Sequence, residues 1–187
     1  MDVSDKNGME GNTEQESANN ASTLAQRMNA YEPIPWEKLP DLGLYMDQVI
    51  TFLERHLACL YPHRGPKDLV LTRAMINNYV KQRVIPRPNR KKYDREHLAA
   101  LLMVCALKQV LPIDAVTRLI GSGEDLHVVY ETFCAQQRSA LDRAADQLCR
   151  SDTSALQCAL EAGAQRLAAE ALLVRRKPEE QAETSGA

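Results

Sequence analysis

Apolar residues recur at helical spacing through the middle of the chain. Tyr45, Val49, Phe52, Leu53, Leu57 and Leu60 follow the three-and-four spacing of one buried face, which predicts a helix over about 44–60. Pro62, Gly65 and Pro66 end it. Thr72 suits the N-cap of a second helix, 73–83, that would bury Met75, Ile76, Tyr79 and Val80. Pro86 and Pro88 then exclude a helix. Val84 and Ile85 suit a short strand, and a turn around Pro88 and Asn89 predicts a small hairpin over 84–93. Asp94 fits as the cap of a third helix, reaching about Leu111, with Leu98, Leu101, Leu102 and Cys105 inward. Pro112 opens a short fourth helix, Ile113 to Ile120, burying Val116, Leu119 and Ile120 and stopped by Gly121.

Two longer periodic segments follow, about Asp125–Arg150 and Thr153–Arg175. The first would bury Leu126, Val129, Phe133, Ala140, Leu141, Ala144 and Leu148. The second is rich in Ala and carries Leu156, Leu160, Leu167 and Leu172. Together they read as an antiparallel helical hairpin, packed on the domain or on a second copy of the chain. Residues 1–30 and the stretch from Lys177 are polar and are expected to be disordered. Between them, Tyr31–Pro40 holds three prolines and should form an extended strap anchored by Trp36.

Of 187 residues, 44% are apolar, enough for a core, so wholesale disorder is excluded. No apolar run approaches the roughly 18 residues that a bilayer span needs. The polar N-terminus does not resemble a signal peptide, so a cytoplasmic location is expected. There the five cysteines would stay reduced.

The net charge of −2 conceals an uneven distribution. Ten basic residues lie between Arg64 and Arg95 against only Asp68 and Asp94, which leaves +8 there and −10 elsewhere. Such asymmetry points to an anionic partner met by one surface. The outer face of helix 73–83 offers Arg73, Asn77, Asn78 and Lys81, groups that bond base edges and phosphates. The hairpin adds Arg87, Arg90, Lys91 and Lys92, suited to phosphates.

Patterns for catalysis are weak. His56, Cys59 and His63 have a metal-like spacing, but no fourth ligand lies nearby and no C-x-x-C occurs. A Cys59–His56 nucleophile pair would lack an orienting third group. Gly121 in GSGED follows no predicted strand, so it is not a phosphate loop. The expectation is a non-enzymatic protein without metal or cofactor.

The stretch LTRAMINNYVKQRVIPRPNRKKYDREHLAALLMVCALKQVLPIDAVTRLI, Leu71 to Ile120, resembles the MerR-type winged helix-turn-helix. Tyr79, Pro86, Pro88, Tyr93, Asp94, Leu98, Leu101, Lys108, Pro112, Ile113, Asp114, Val116 and Ile120 occupy that pattern's positions. The phrase LTRAMINNYVKQ…IPRP…KKYDREHLA, preceded by LPDLGLYMDQVITFLERHL, is similar to a bacterial family of uncharacterised proteins, domain of unknown function 1836. This likeness runs from about Leu39 to Phe133. It differs from MerR regulators in the long Tyr61–Leu71 connection, the short wing and the lack of a strict heptad helix or a metal-binding cysteine cluster.

The resemblance implies a mainly helical, all-α fold. A winged helix-turn-helix-like domain over 31–122 would carry a small basic β-hairpin wing; the helical hairpin read from the periodicity, 123–176, would follow it and pack on the domain or pair with a second copy. It also implies DNA binding. Helix 73–83 would enter the major groove and hairpin 84–93 would hold the backbone of double-stranded DNA. A homodimer is expected, because one module of this size buries too little for tight site recognition. The alternative is a protein–protein interaction module that uses the same fold to meet an acidic or helical partner.

Overall fold

Nine consecutive residues, His97 to Cys105, are buried. Their helix therefore has no solvent face for about two and a half turns, the mark of a central element. The structure, a computed structural model, describes residues 20–61, 71–121, 124–150 and 153–175. Within them run α1 (20–29), a 3-10 turn Trp36–Lys38, α2 (Met46–Leu57) extended by a 3-10 turn Ala58–Leu60, α3 (Arg73–Lys81), α4 (Arg95–Leu107), α5 (Ile113–Ile120), α6 (Leu126–Leu148) and α7 (Ala155–Arg175). The central helix is α4, which packs against α2, α5 and α6.

Local chemistry sets the helix starts. The backbone N–H of Tyr45 donates to Gln48 Oε1 at 2.9 Å and opens α2. Thr72 Oγ1 accepts from Met75 N–H at 3.2 Å and caps α3. Asp94 Oδ1 accepts from His97 N–H at 3.3 Å for α4, and Asp125 from His127 N–H at 2.8 Å for α6. Such caps satisfy amides that have no partner inside the helix. Pro112 and Gly121 bracket α5 as the sequence predicts.

Three parts of the fold differ from the expectation. First, residues 20–29 are helical rather than disordered, and Ala25 is buried. Second, the β-hairpin is reduced to a turn. Among the described residues its pairing amounts to isolated bridges, Asn89 with Lys92 and Leu44 with Tyr93. The chain reverses at Arg90–Lys91, two residues later than Pro88–Asn89, and Lys92 N–H donates to Asn89 O at 2.9 Å. Val84 and Ile85 form no strand because both are buried against the core as α3 ends. Third, α7 is largely exposed. Leu156, Leu160, Leu167 and Leu172 are each more than half exposed; the helix packs on α5 and is tied to α6 by Gln147 Nε2 donating to Glu161 Oε2 at 2.8 Å.

The strap behaves as a bound peptide on α6. Arg138 donates to the Tyr31 carbonyl, and Tyr31 O–H to Gln137 Oε1 at 3.2 Å. Tyr130 O–H donates to Ile34 O at 2.8 Å, and Trp36 N–H to Glu131 Oε1 at 2.8 Å. The Trp36 ring stacks on His127 with centroids 4.7 Å apart, so the tryptophan anchors the strap while staying half-buried. No described helix is long and apolar enough to cross a membrane.

Candidate nucleic-acid interface

Helix α3 buries Ile76 and Tyr79 and leaves Asn77, Asn78 and Lys81 exposed on the side away from the core. Met75, expected inside, is 38% exposed and lies on the open side. Arg73 is also exposed, but its guanidinium pairs with Asp47 of α2. It therefore ties α3 to α2 rather than standing free.

The end of α3 has a C-terminal motif whose usual central residue is glycine. Arg83 N–H donates to Val80 O at 3.1 Å and Val84 N–H to Tyr79 O at 2.9 Å. This pattern requires a left-handed residue between them, and Arg83 has φ 60°. Val84 and Tyr79 are both buried, which supplies the apolar contact that accompanies the motif. Sequence reasoning did not single out Arg83. Its signal was the run of polar residues from Lys81 to Arg83 breaking into Val84–Ile85.

The turn repeats the theme. Arg90 has φ 48° and Lys91 φ 64°. A two-residue turn with both central φ positive favours Asn-Gly, because side chains are strained there. All three described non-glycine residues with positive φ are thus cations, Arg83, Arg90 and Lys91. At the next position, Lys92 is held by its neighbours. Its Nζ lies 5.5 Å from the centre of the Tyr45 ring, and a Cβ added to Gly43 would stand 2.8 Å from Lys92 Cβ. The base of the turn is fixed by Tyr93, which exchanges backbone hydrogen bonds with Leu44 at 2.7 and 2.8 Å.

Engaged and open charges separate cleanly. Arg95 is half-buried, donates to Leu39 O at 3.3 Å and faces Glu37 and Asp41, so it belongs to the scaffold. Arg64 and Lys67 lie outside the described residues. Lys81, Arg83, Arg87, Arg90, Lys91 and Lys92 remain, all exposed, and the chain from 74 to 93 contains no acidic residue to oppose them. Asp94, which follows, is engaged as the α4 cap. Burial pushes its carboxyl up, but hydrogen bonds from the side chain and backbone of His97 outweigh this and hold it below its ordinary range. His97 Nδ1 lies 2.6 Å from Asp94 Oδ1, and the ring meets Tyr93 edge-on. Tyr79, expected inside from the helix pattern, is buried, and so is Tyr93.

His56 packs against the Phe52 ring at 4.6 Å, and burial with the nearby Arg55 charge lowers its pKa. His63 and the Cys59 side chain lie outside the described residues, and no group of three His, Cys, Asp or Glu residues capable of holding a metal occurs among those described.

Residues 34–132, just over half of the chain, match the family model described as Domain of unknown function (DUF1836). No curated protein and no solved structure matches the chain.

Proposed function

We propose that this chain, which belongs to the family Domain of unknown function (DUF1836), is a non-enzymatic, cytoplasmic DNA-binding regulator of the MerR-like winged-helix type. The observation that carries the reading is the set of cations kept at left-handed positions, Arg83, Arg90 and Lys91, where glycine or asparagine would fold more easily. Strain retained at an exposed, uncompensated charge points to a use for that charge. Asn77, Asn78 and Lys81 face the bases. Arg83, Arg87, Arg90, Lys91 and Lys92 meet phosphates, with the tight turn serving as a minimal wing. Arg73 keeps α3 at its angle to α2 through Asp47. Neither metal nor cofactor enters this reading.

A homodimer completes the proposal. On α7, Leu156, Leu160, Leu167 and Val174 are exposed at heptad-like spacing, a face that suits a second helix. The same face favours a second reading, in which the chain is a protein–protein interaction module and the basic surface receives an acidic partner.

Fluorescence anisotropy with random duplex DNA at several salt concentrations separates the two. If about six phosphates are neutralised, log affinity falls against log salt with a slope near −5. Changing Arg90, Lys91 and Lys92 together to Ala should bring the slope to about −2.5. Absence of binding at low salt, or a slope near zero, overturns the DNA reading and leaves the interaction module.

A further inference from the structure

Helices α4 to α7 form a half-open pocket of about 800 Å³. Met103 and Leu107 of α4 form one side, Ile120 of α5 and Phe133 of α6 form others, and Leu173 of α7 closes it. The lining reaches deep, since Met103 is 1% exposed and Leu173 7%. Thr132, Gln136 and Gln137 of α6 place polar groups along one side, and Glu124, just before α6, adds a carboxylate to the lining. We infer that this cavity binds a small, largely apolar organic molecule with a hydrogen-bonding group at one end.

Size and lining carry the inference. The volume lies inside the ~300–1,000 Å³ range of small-molecule sites, and an apolar body with a few polar groups at one side is their usual composition. The two terminal segments outside the described residues, 1–19 and 176–187, are dominated by polar residues and contain no Leu, Ile or Phe. A small molecule matches this size and lining.

The cavity's construction says which part of the chain would set its preference. Met103, Leu107, Ile120 and Thr132 lie within the family match, whereas Phe133, Gln136, Ala169 and Leu173 lie beyond it. The family region supplies the floor, and α7 with the later turns of α6 supplies the cover. If the DNA-binding reading holds, this is an effector site, but the binding itself does not depend on that reading.

The test uses the full chain and N-phenyl-1-naphthylamine, an uncharged dye that fluoresces in apolar surroundings. Saturable binding of one dye per chain is expected. Filling the space with Ala106→Trp or Ala169→Trp should weaken it at least tenfold, while Ala159→Trp on the exposed face of α7 should leave it unchanged. Circular dichroism reports whether each variant folds. Gln136→Trp, at an exposed rim position that tolerates bulk, decides the matter if both filled variants unfold, and the same tenfold loss is expected. Unsaturable binding, or equal binding by folded filled variants, overturns the proposal. So does loss of binding in Leu160→Glu alone, which would locate the dye on the α7 stripe. DNA is absent from the assay, so failure of DNA binding leaves the result intact.

Discussion

Replacing Arg83 with Gly should make the protein more stable and, on the proposed DNA-binding reading, should weaken its affinity for DNA. The residue sits at φ 60° between two hydrogen bonds that close α3. A side chain in the left-handed region costs about 1–2 kcal/mol. Glycine removes that cost but loosens the unfolded chain by about 0.4–1 kcal/mol. The net gain is about 0.5–1 kcal/mol, or a rise in Tm of about 1–4 °C for a body of this size. Arg83 also belongs to a cluster of like charges, so losing it could stabilise by relief of repulsion alone. Arg83→Ala controls for this, since it removes the charge and keeps the strained backbone. Thermal unfolding followed by circular dichroism should therefore rank Gly above both Ala and the parent. In the DNA assay, Gly and Ala should each reduce the salt slope by about 0.9. Equal stability of the Gly and Ala variants would refute the backbone argument. An unchanged slope would remove Arg83 from the phosphate contacts.

Three other expectations follow from the packing. Gly43→Ala places a methyl 2.8 Å from Lys92 Cβ, so it should destabilise by about 1–3 kcal/mol. Adding Lys92→Gly should restore most of the loss in urea unfolding, and no rescue would mean that the clash is not the cause. Tyr130→Phe leaves the Ile34 carbonyl with only the Cys134 thiol, 3.7 Å away, and should cost about 1–3 kcal/mol in the same assay, a value near zero counting against the strap's role. Asp94 has a folded pKa below the ordinary 3.8 of its carboxyl, so its stabilising charge is fully present above that pH and is lost as pH falls through the lower folded value. Stability curves of the parent and of Asp94→Asn should converge in acid, and a gap constant down to the lowest pH would sink the linkage.

Periodicity made the helices legible and left the turn obscure. The ends of α5 follow directly from Pro112 and Gly121, and Asp94, Thr72 and Asp125 cap the helices they precede. Burial all round α4 was harder to read. Ala99, Ala100 and Met103 look indifferent in one helix period and become core only because α2, α5 and α6 surround them. The turn was misplaced because Pro88–Asn89 has the better turn chemistry. Tertiary structure overrides it: Tyr93 pairs with Leu44, far away in sequence, and this draws the reversal to Arg90–Lys91. Exposed Asn77, Asn78 and Lys81 could be read from the helix face alone, whereas the engagement of Arg73 by Asp47 depends on how α2 and α3 meet.

The limits of the family match and of the folded body do not coincide. The match ends at residue 132, in the middle of α6. Yet the strap on the other side of the matched region is held by α6 residues on both sides of that point. Tyr130 and Glu131 bind Ile34 and Trp36, while Gln137 and Arg138 bind Tyr31. The buried thiol of Cys134, pushed up to about 11 chiefly by burial, lies against the same strap carbonyl as Tyr130. These contacts fix the later turns of α6 to the strap, and α6 in turn packs on α4. Helix α4 begins immediately after the basic turn and lines the cavity at its other end. One buried helix thus runs from the base of the charged surface to the apolar pocket.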